Sequence, residues 1–172
     1  MLFNSINFLL FFPVVLLFYY LIPDRFKSLW LLAASYYFYM SWNAKYGLLI
    51  LFCTVCTYLA ALLIEKNRSE QKHNRRSYLY AAVCIVVILS ILAYYKYTIF
   101  ALNTLSSILT RMGILWDTPA VSIVLPVGIS FFTFQAMSYV IDVYRGDIYA
   151  EKNFLQYALF VSFFPQLVAG PI

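Results

Sequence analysis

Long apolar segments with few charges between them are the feature that most restricts the fold of this chain. Residues 28–64 are mostly apolar, and these 37 residues would form a helix of about 55 Å, nearly twice the roughly 30 Å hydrocarbon core of a bilayer. The chain is 64% hydrophobic and 11% charged, whereas a soluble domain is nearer half apolar and a quarter charged. This composition predicts an all-α, polytopic membrane protein.

Turns and charges divide the apolar residues into six predicted spans within a single membrane domain, 1–172. The spans are residues 6–22, 29–40, 46–64, 78–100, 122–144 and 154–170. Residues 101–120 carry Gly113 and Pro119, so we expect a segment that lies at the membrane interface, followed by a turn. Ile172 ends the chain within an apolar segment that has no closing charge. We therefore expect the N-terminal part of a longer protein.

The basic residues indicate how the chain is oriented. Five of the twelve Lys and Arg residues lie between Glu65 and Ser77, which is typical of a cytoplasmic loop. Three spans precede this loop, so the N-terminus is expected outside, and the fifth span returns Arg145 to the inside. Aromatic residues are not interleaved with these charges, so the net charge of +5 does not predict nucleic-acid binding.

The residue types that most often form catalytic or metal sites do not form one here. His73 stands in a run of charged, solvated residues, without the sheltered partner that a catalytic imidazole needs. Cys53 and Cys56 have the spacing of a redox motif but lie in an apolar span, with no basic residue beside them to favour the thiolate. We expect small buried hydrophobic residues there, and neither a metal nor a bound cofactor.

A polar stripe along the fifth span is the candidate functional site. In a helix that starts after Gly128, steps of three and four residues bring one set of side chains to the same face. That set is Gly128, Phe131, Gln135, Ser138, Tyr139, Asp142 and Arg145 or Gly146, and the opposite face is Phe132, Ala136, Val140 and Val143. Amides and carboxylates are costly in hydrocarbon, so the stripe should face other helices or a water-filled passage. The structural alternative is a packing interface whose charges only anchor the helix end.

Several motifs carry a resemblance to a known family. They are residues 125–135 (LPVGISFFTFQ), Tyr139, residues 141–146 (IDVYRG) and residues 162–171 (SFFPQLVAGP), with residues 35–43 (SYYFYMSWN) earlier in the chain. Together they resemble the membrane-bound O-acyltransferases. The resemblance is to the bacterial alginate O-acetyltransferase branch, beside the peptidoglycan O-acetyltransferases and teichoic-acid D-alanyl transfer proteins.

This resemblance implies a ring of helices around a tunnel in the bacterial cytoplasmic (inner) membrane. An acyl group, expected to be acetyl, would pass from a cytoplasmic thioester donor, acetyl-CoA or acyl carrier protein, to a hydroxyl of an exported polysaccharide such as alginate. Partners would be the lipid bilayer, an acyl carrier, and periplasmic or extracellular acyltransferase proteins. The family's catalytic histidine matches no residue of this chain, so the fragment is expected to be inactive by itself.

Five residues are candidates for the substrate path or the donor side. Gln135, Tyr139, Asp142 and Arg145 would line or brace the cytoplasmic half of the tunnel, and Gln166 would hold the next helix by hydrogen bonding. Arg145 would attract an anionic donor, which Asp142 would orient. The alternatives are a transporter or channel subunit whose polar fifth span lines the path, or a purely structural membrane module.

Overall fold

The computed structural model describes residues 6–41, 43–67, 75–112 and 128–169, and within these ranges the chain forms helices and no strand. The helices are α1 (Ile6–Leu21), α2 (Asp24–Met40), α3 (Ala44–Lys66), α4 (Arg75–Arg111), α5 (Ile129–Arg145), α6 (Phe154–Ser162) and α7 (Phe164–Ala169). The expected all-α fold is confirmed.

Two of these helices could cross a bilayer by length and composition. They are α3 and the part of α4 from Arg75 to Thr98, while α1 is apolar but shorter. α1 runs through Pro13 without a break. The apolar helices and the composition together make the chain an integral membrane protein.

The fourth helix extends beyond the predicted membrane span. That span ends at residue 100, and α4 continues to Arg111, so the first part of the segment expected at the interface is helical. The physical reason is that residues 101–111 contain neither Gly nor Pro, so nothing interrupts the helical hydrogen bonds. Ser107 and Thr110 donate to the carbonyls four residues earlier, at 2.9 and 2.8 Å, and so satisfy their hydroxyls within the helix. The remainder of the expected segment, residues 113–120, lies outside the described residues.

The last predicted span is two helices instead of one. α6 ends at Ser162, Phe163 is not helical, and α7 begins at Phe164. Pro165 explains the break, because it has no backbone N–H to continue the ladder of α6 and is tolerated only in the first turn of a helix. The fifth helix begins at Ile129, and residues 121–127 of the predicted span lie outside the described part of the chain.

The main core forms where α5 packs against α3 and α4. Ala61, Phe132, Ala136 and Val140 are each 0% exposed at this contact. Small side chains such as the two alanines let helix backbones approach closely, which is the main source of packing energy between membrane helices. The core therefore fixes the rotation of α5 about its axis.

A second, aromatic-rich cluster joins α1 and α2 to α7. Its buried members are Val15, Ala34, Phe38 and Phe164, and Phe8 and Phe11 pack against them. The rings of Phe38 and Phe164 lie 5.6 Å apart, within the range of favourable aromatic pairs. This cluster holds the start of α7 beside α2.

The flanks of the basic loop lie at the same end of the bundle as the C-terminus of α5. The rings of Tyr78 and Tyr144 are 6.4 Å apart, and the Glu65 carboxylate accepts a hydrogen bond from the backbone N–H of Ala150. Glu65 and Tyr78, on either flank of the basic loop, thus lie on the same side of the protein as Tyr144 and Ala150.

Candidate functional site

Two glycines set the limits of α5. Gly128 and Gly146 have φ values of 74° and 82°, in the left-handed region that L side chains rarely adopt. The Gly128 carbonyl accepts the first helical bond from the Phe132 N–H at 3.0 Å. At the other end, the N–H groups of Gly146 and Asp147 both donate to the Asp142 carbonyl at 3.0 Å, which closes the helix. The motif Gly128 to Gly146 is therefore a helix with a defined start and end.

The two faces of α5 have opposite environments. Phe132, Ala136, Val140 and Val143 are buried in the core, as the periodicity predicts for the apolar face. On the other face Gln135 and Asp142 are half-buried and Ser138 is exposed. Tyr139 is an exception within the stripe, because its ring is buried against Tyr157, with 4.5 Å between the centroids.

The break between α6 and α7 interrupts the helical hydrogen bonds that would join the two helices, among them the bond between Phe160 and Phe164. In an unbroken helix the Phe160 carbonyl would accept from the Phe164 N–H. Here Gln135 Nε2 donates to the Phe160 carbonyl at 3.0 Å, and the Phe164 N–H donates to Ser35 Oγ at 3.3 Å. Two side chains from α5 and α2 thus satisfy the two ends of the break, as backbone at membrane depth requires. Gln135 Nε2 also lies 3.4 Å from Gln166 Oε1.

A groove of about 410 Å³ runs between α5 and α6, beside this break. It is lined by Phe131, Phe134, Gln135, Ser138, Tyr139, Asp142, Ile148 and Phe160. Most of the lining is apolar, and Ser138 Oγ lies 3.4 Å from Asp142 Oδ2. The groove therefore suits a largely apolar molecule that carries a few hydrogen-bonding groups.

A second groove of about 350 Å³ adjoins the first and shares Tyr139, Ile148 and Phe160 with it. Its other lining residues are Tyr149, Glu151, Gln156 and Tyr157. Because the two grooves share these three residues, together they form one depression that runs from the helix break to the loop after α5.

Three side chains from neighbouring helices hold that loop, residues 147–153. Tyr139 Oη accepts from the Glu151 N–H at 2.8 Å, and Tyr58 Oη donates to the Lys152 carbonyl at 2.7 Å. The Glu65 carboxylate accepts from the Ala150 N–H. Backbone groups that would otherwise need water are thereby bonded to α3 and α5, which holds the loop in place as a wall of the second groove.

Comparison with known proteins finds relatives over the whole chain. No family model and no solved structure matches the chain. All of the chain aligns with the probable alginate O-acetylase AlgI of Pseudomonas aeruginosa at 42% identity and with that of Azotobacter vinelandii at 41%. It also aligns over its whole length with a peptidoglycan O-acetyltransferase of Helicobacter pylori at 32% identity. These relatives are of the membrane-bound O-acyltransferase type, and the chain is similar to them over its whole length.

The chain spans about a third of the length of these relatives, between 32% and 37%. The chain therefore corresponds to only part of each of these relatives.

The structure brings three of the five candidate residues to one groove. Gln135, Tyr139 and Asp142 line it together, and Gln166 reaches Gln135 from α7. Arg145 is exposed in the last turn of α5 and does not line either groove. No ion pair joins Asp142 to Arg145, although both residues are described. Their roles in the substrate path remain predictions.

Sequence reasoning missed Tyr58 and Glu65 on α3, which hold the loop, and Tyr157 on α6, which bonds to Thr57. Nothing in their local sequence distinguishes them from other membrane-helix residues, although Glu65 at the end of a span was a visible signal. His73 lies outside the described residues. Among the residues that are described, no three His, Cys, Asp or Glu side chains gather as a metal site would require.

Proposed function

We propose that this chain is the N-terminal part of a membrane O-acetyltransferase acting on an exported polysaccharide. The observation that carries the proposal is the similarity of the whole chain to proteins named alginate O-acetylase and peptidoglycan O-acetyltransferase. We infer that the acetyl group comes from a cytoplasmic thioester, acetyl-CoA or an acyl carrier protein. The acceptor is a hydroxyl of alginate or of another cell-envelope glycan.

The reaction needs more than this chain provides. The acceptor hydroxyl oxygen attacks the thioester carbonyl carbon, a base takes the hydroxyl proton, and the C–S bond breaks to release the thiolate. A base, donors to the oxyanion and protection from water are all required. We propose that the base lies on sequence outside these 172 residues, so that the chain alone does not transfer acetyl groups.

The part that this chain plays is to form a wall of the substrate path. Phe131, Phe134 and Phe160 make the groove apolar, which favours exclusion of competing water. Gln135 and Asp142 supply polar groups along the same wall. Arg145, beyond the groove at the exposed end of α5, provides a positive charge for an anionic donor.

We infer that the protein lies in the bacterial cytoplasmic membrane with loop 65–77 inside and the N-terminus outside. The proposal is supported by the contacts that bring Glu65 and Tyr78, the flanks of the basic loop, to the same end as Ala150 and Tyr144. The acceptor glycan would then be modified on the outer side of the membrane, where periplasmic or extracellular acyltransferase partners complete the modification.

Cysteine labelling tests this orientation. Lys45→Cys should react with a membrane-impermeant maleimide in intact cells, whereas Asp147→Cys should react only after lysis. The reverse pattern would contradict this orientation.

Deletion of the gene tests the reaction. Mass spectrometry of the exported polymers should show loss of O-acetyl groups, restored by the complete gene but not by residues 1–172 alone. Unchanged O-acetylation in the deletion strain would refute the proposal.

The broken helix α6–α7 also favours a second candidate, a transporter or channel subunit. Discontinuous helices beside polar side chains form binding sites in many transporters. A deletion strain that keeps its O-acetyl groups but loses uptake or export of a solute would support this candidate.

A further inference from the structure

The C-terminal part of α4 extends beyond the main core. Among the described residues of α4, those that pack in this core end at Leu92 and Tyr95, whereas the helix continues to Arg111. Residues 96–111, the α4 extension, add about 24 Å along the helix axis. The part of α4 that could cross a bilayer ends at Thr98. Most of the extension therefore lies beyond the membrane, on the outer side in the proposed orientation.

The α4 extension has one polar face, and this face is exposed. Steps of three and four residues bring one set of side chains to the same side of a helix. That set, the polar face, is Lys96, Phe100, Asn103, Ser107 and Arg111, and each of these residues is exposed. Leu102 and Leu109, on the opposite side of the helix, are half-buried. The polar face is thus the side of the extension that is open to another molecule.

The charge on the polar face is positive and is not balanced within the helix. α4 contains no Asp or Glu between its first and last residues. Among the described residues, no carboxylate lies at ion-pair distance from Lys96 or Arg111. Lys96 Nζ instead lies over the ring of Tyr97, 5.7 Å from its centroid. Two exposed cations about 22 Å apart can therefore attract an extended anionic chain.

The groups between the two cations can bind sugar rings. Asn103 carries an amide that can both donate and accept hydrogen bonds. Ser107 Oγ donates to the Asn103 carbonyl at 2.9 Å, and its oxygen can still accept. Phe100 is 69% exposed, and such a ring can stack on the apolar C–H face of a pyranose. A chain of sugars that carry hydroxyl and carboxylate groups matches all of these features.

We propose that the polar face of the α4 extension binds a segment of an acidic, uronate-containing polysaccharide. Lys96 and Arg111 contact carboxylates on two separate sugars, and the Arg111 guanidinium can do so with two parallel hydrogen bonds. Phe100 and Asn103 contact the sugar rings between them. The inference rests on the proposed function and its orientation, and it deepens that function by naming the acceptor as an acidic glycan held beside the membrane.

Removal of the two cations tests this inference. The complete gene product is purified in nanodiscs of phosphatidylcholine, which carries no net charge, and both sides of a nanodisc are open to solution. It is titrated with an alginate oligosaccharide and with a neutral oligosaccharide of the same length. Lys96→Gln and Arg111→Gln are made singly and together. Lys45→Gln, which removes an exposed charge near the start of α3, is the matched control for each single variant.

We expect the double variant to raise the Kd for alginate about 3- to 10-fold, because exposed charge pairs each contribute modestly. Lys45→Gln should stay within about twofold of the unchanged protein. The effect of the double variant should disappear in about 1 M salt, where screening acts within about 3 Å. The neutral oligosaccharide should bind more weakly than alginate and equally to every variant. Tm should be the same throughout, because these substitutions are on the surface.

Several results would overturn the inference. They are an unchanged Kd for alginate in the double variant, an equal rise in Lys45→Gln, or an unchanged protein that does not prefer alginate to the neutral oligosaccharide. A double variant that keeps its affinity for alginate but loses copurified anionic phospholipid would show that the polar face binds lipid headgroups instead. If alginate binding depends on these two residues but deletion of the gene leaves O-acetylation unchanged, the binding site stands and the proposed function is refuted.

Discussion

The hydroxyl of Tyr157 donates a hydrogen bond to Thr57 Oγ1 at 2.7 Å, and this bond joins α6 to α3 inside the core. Thr57 in turn donates to the Cys53 carbonyl at 2.7 Å, so both hydroxyls are satisfied without water. The Tyr157 ring also packs on Tyr139, which lines both grooves. The position of α6, and with it one wall of the candidate site, therefore depends on a polar contact between helices that are distant in sequence.

Tyr157→Phe should lower stability without changing the packing of the ring. The lost hydrogen bond costs about 1 kcal/mol, because Thr57 Oγ1 then lacks a donor in a buried position. Thermal unfolding of the detergent-solubilised protein should show a lower Tm, while the exposed control Tyr94→Phe should not. Equal Tm values for the two variants would mean that the bond does not stabilise the fold.

Glu65→Leu should release the loop that follows α5. The Ala150 N–H would lose a charged acceptor, and such bonds contribute about 1.5–3 kcal/mol. We expect the Ala150 amide to exchange hydrogen at least about tenfold faster, a change measured by hydrogen–deuterium exchange. Glu65→Gln keeps an oxygen acceptor and should have a smaller effect, and the exposed neighbour Lys66→Ala should have none. Faster exchange in the Lys66 variant as well would indicate general loosening of the helix end.

Gly47→Ala should destabilise the contact between α2 and α3. A Cβ added at Gly47 would lie 2.7 Å from Met40 Cγ, which is too close for van der Waals contact. The helices or the Met40 side chain would have to shift, at a cost of about 1–3 kcal/mol. Met40→Ala in the same protein should restore most of the lost Tm by making room. A double variant no more stable than Gly47→Ala would place the cost elsewhere.

Arg145→Ala should reduce acetyl transfer more than it reduces the amount of protein in the membrane. An exposed guanidinium at the end of α5 can attract an anionic donor, and its loss is expected to lower kcat/KM about tenfold. Rates are measured on membranes of the complete protein at matched expression. Lys66→Ala, at the C-terminal end of α3, serves as the control for general loss of positive charge. Unchanged transfer at equal protein level would remove Arg145 from the candidate site.

The polar stripe on α5 could be predicted because it depends on local geometry. Gly128 and Gly146 mark the ends of the helix, and the spacing of Gln135, Tyr139 and Asp142 follows from the helical repeat. Burial of Phe132 and Val140 on the opposite face was predicted for the same reason. The continuation of α4 to Arg111 was not predicted, because the interruptions on which the expectation rested, Gly113 and Pro119, lie beyond that residue.

Composition and helical periodicity by themselves determined that this protein is an all-α membrane protein with one polar helix face. These two properties depend only on residues close together in the sequence and on the apolar interior of the bilayer. Only the tertiary structure decided which groups meet that face. Gln135 bonds to the Phe160 carbonyl and Ser35 to the Phe164 N–H because the helix breaks before Pro165, and a low-dielectric interior leaves these backbone groups no water to bind. Contacts between residues far apart in the sequence depend on how the helices pack, and the spacing of residues along the chain does not reveal them.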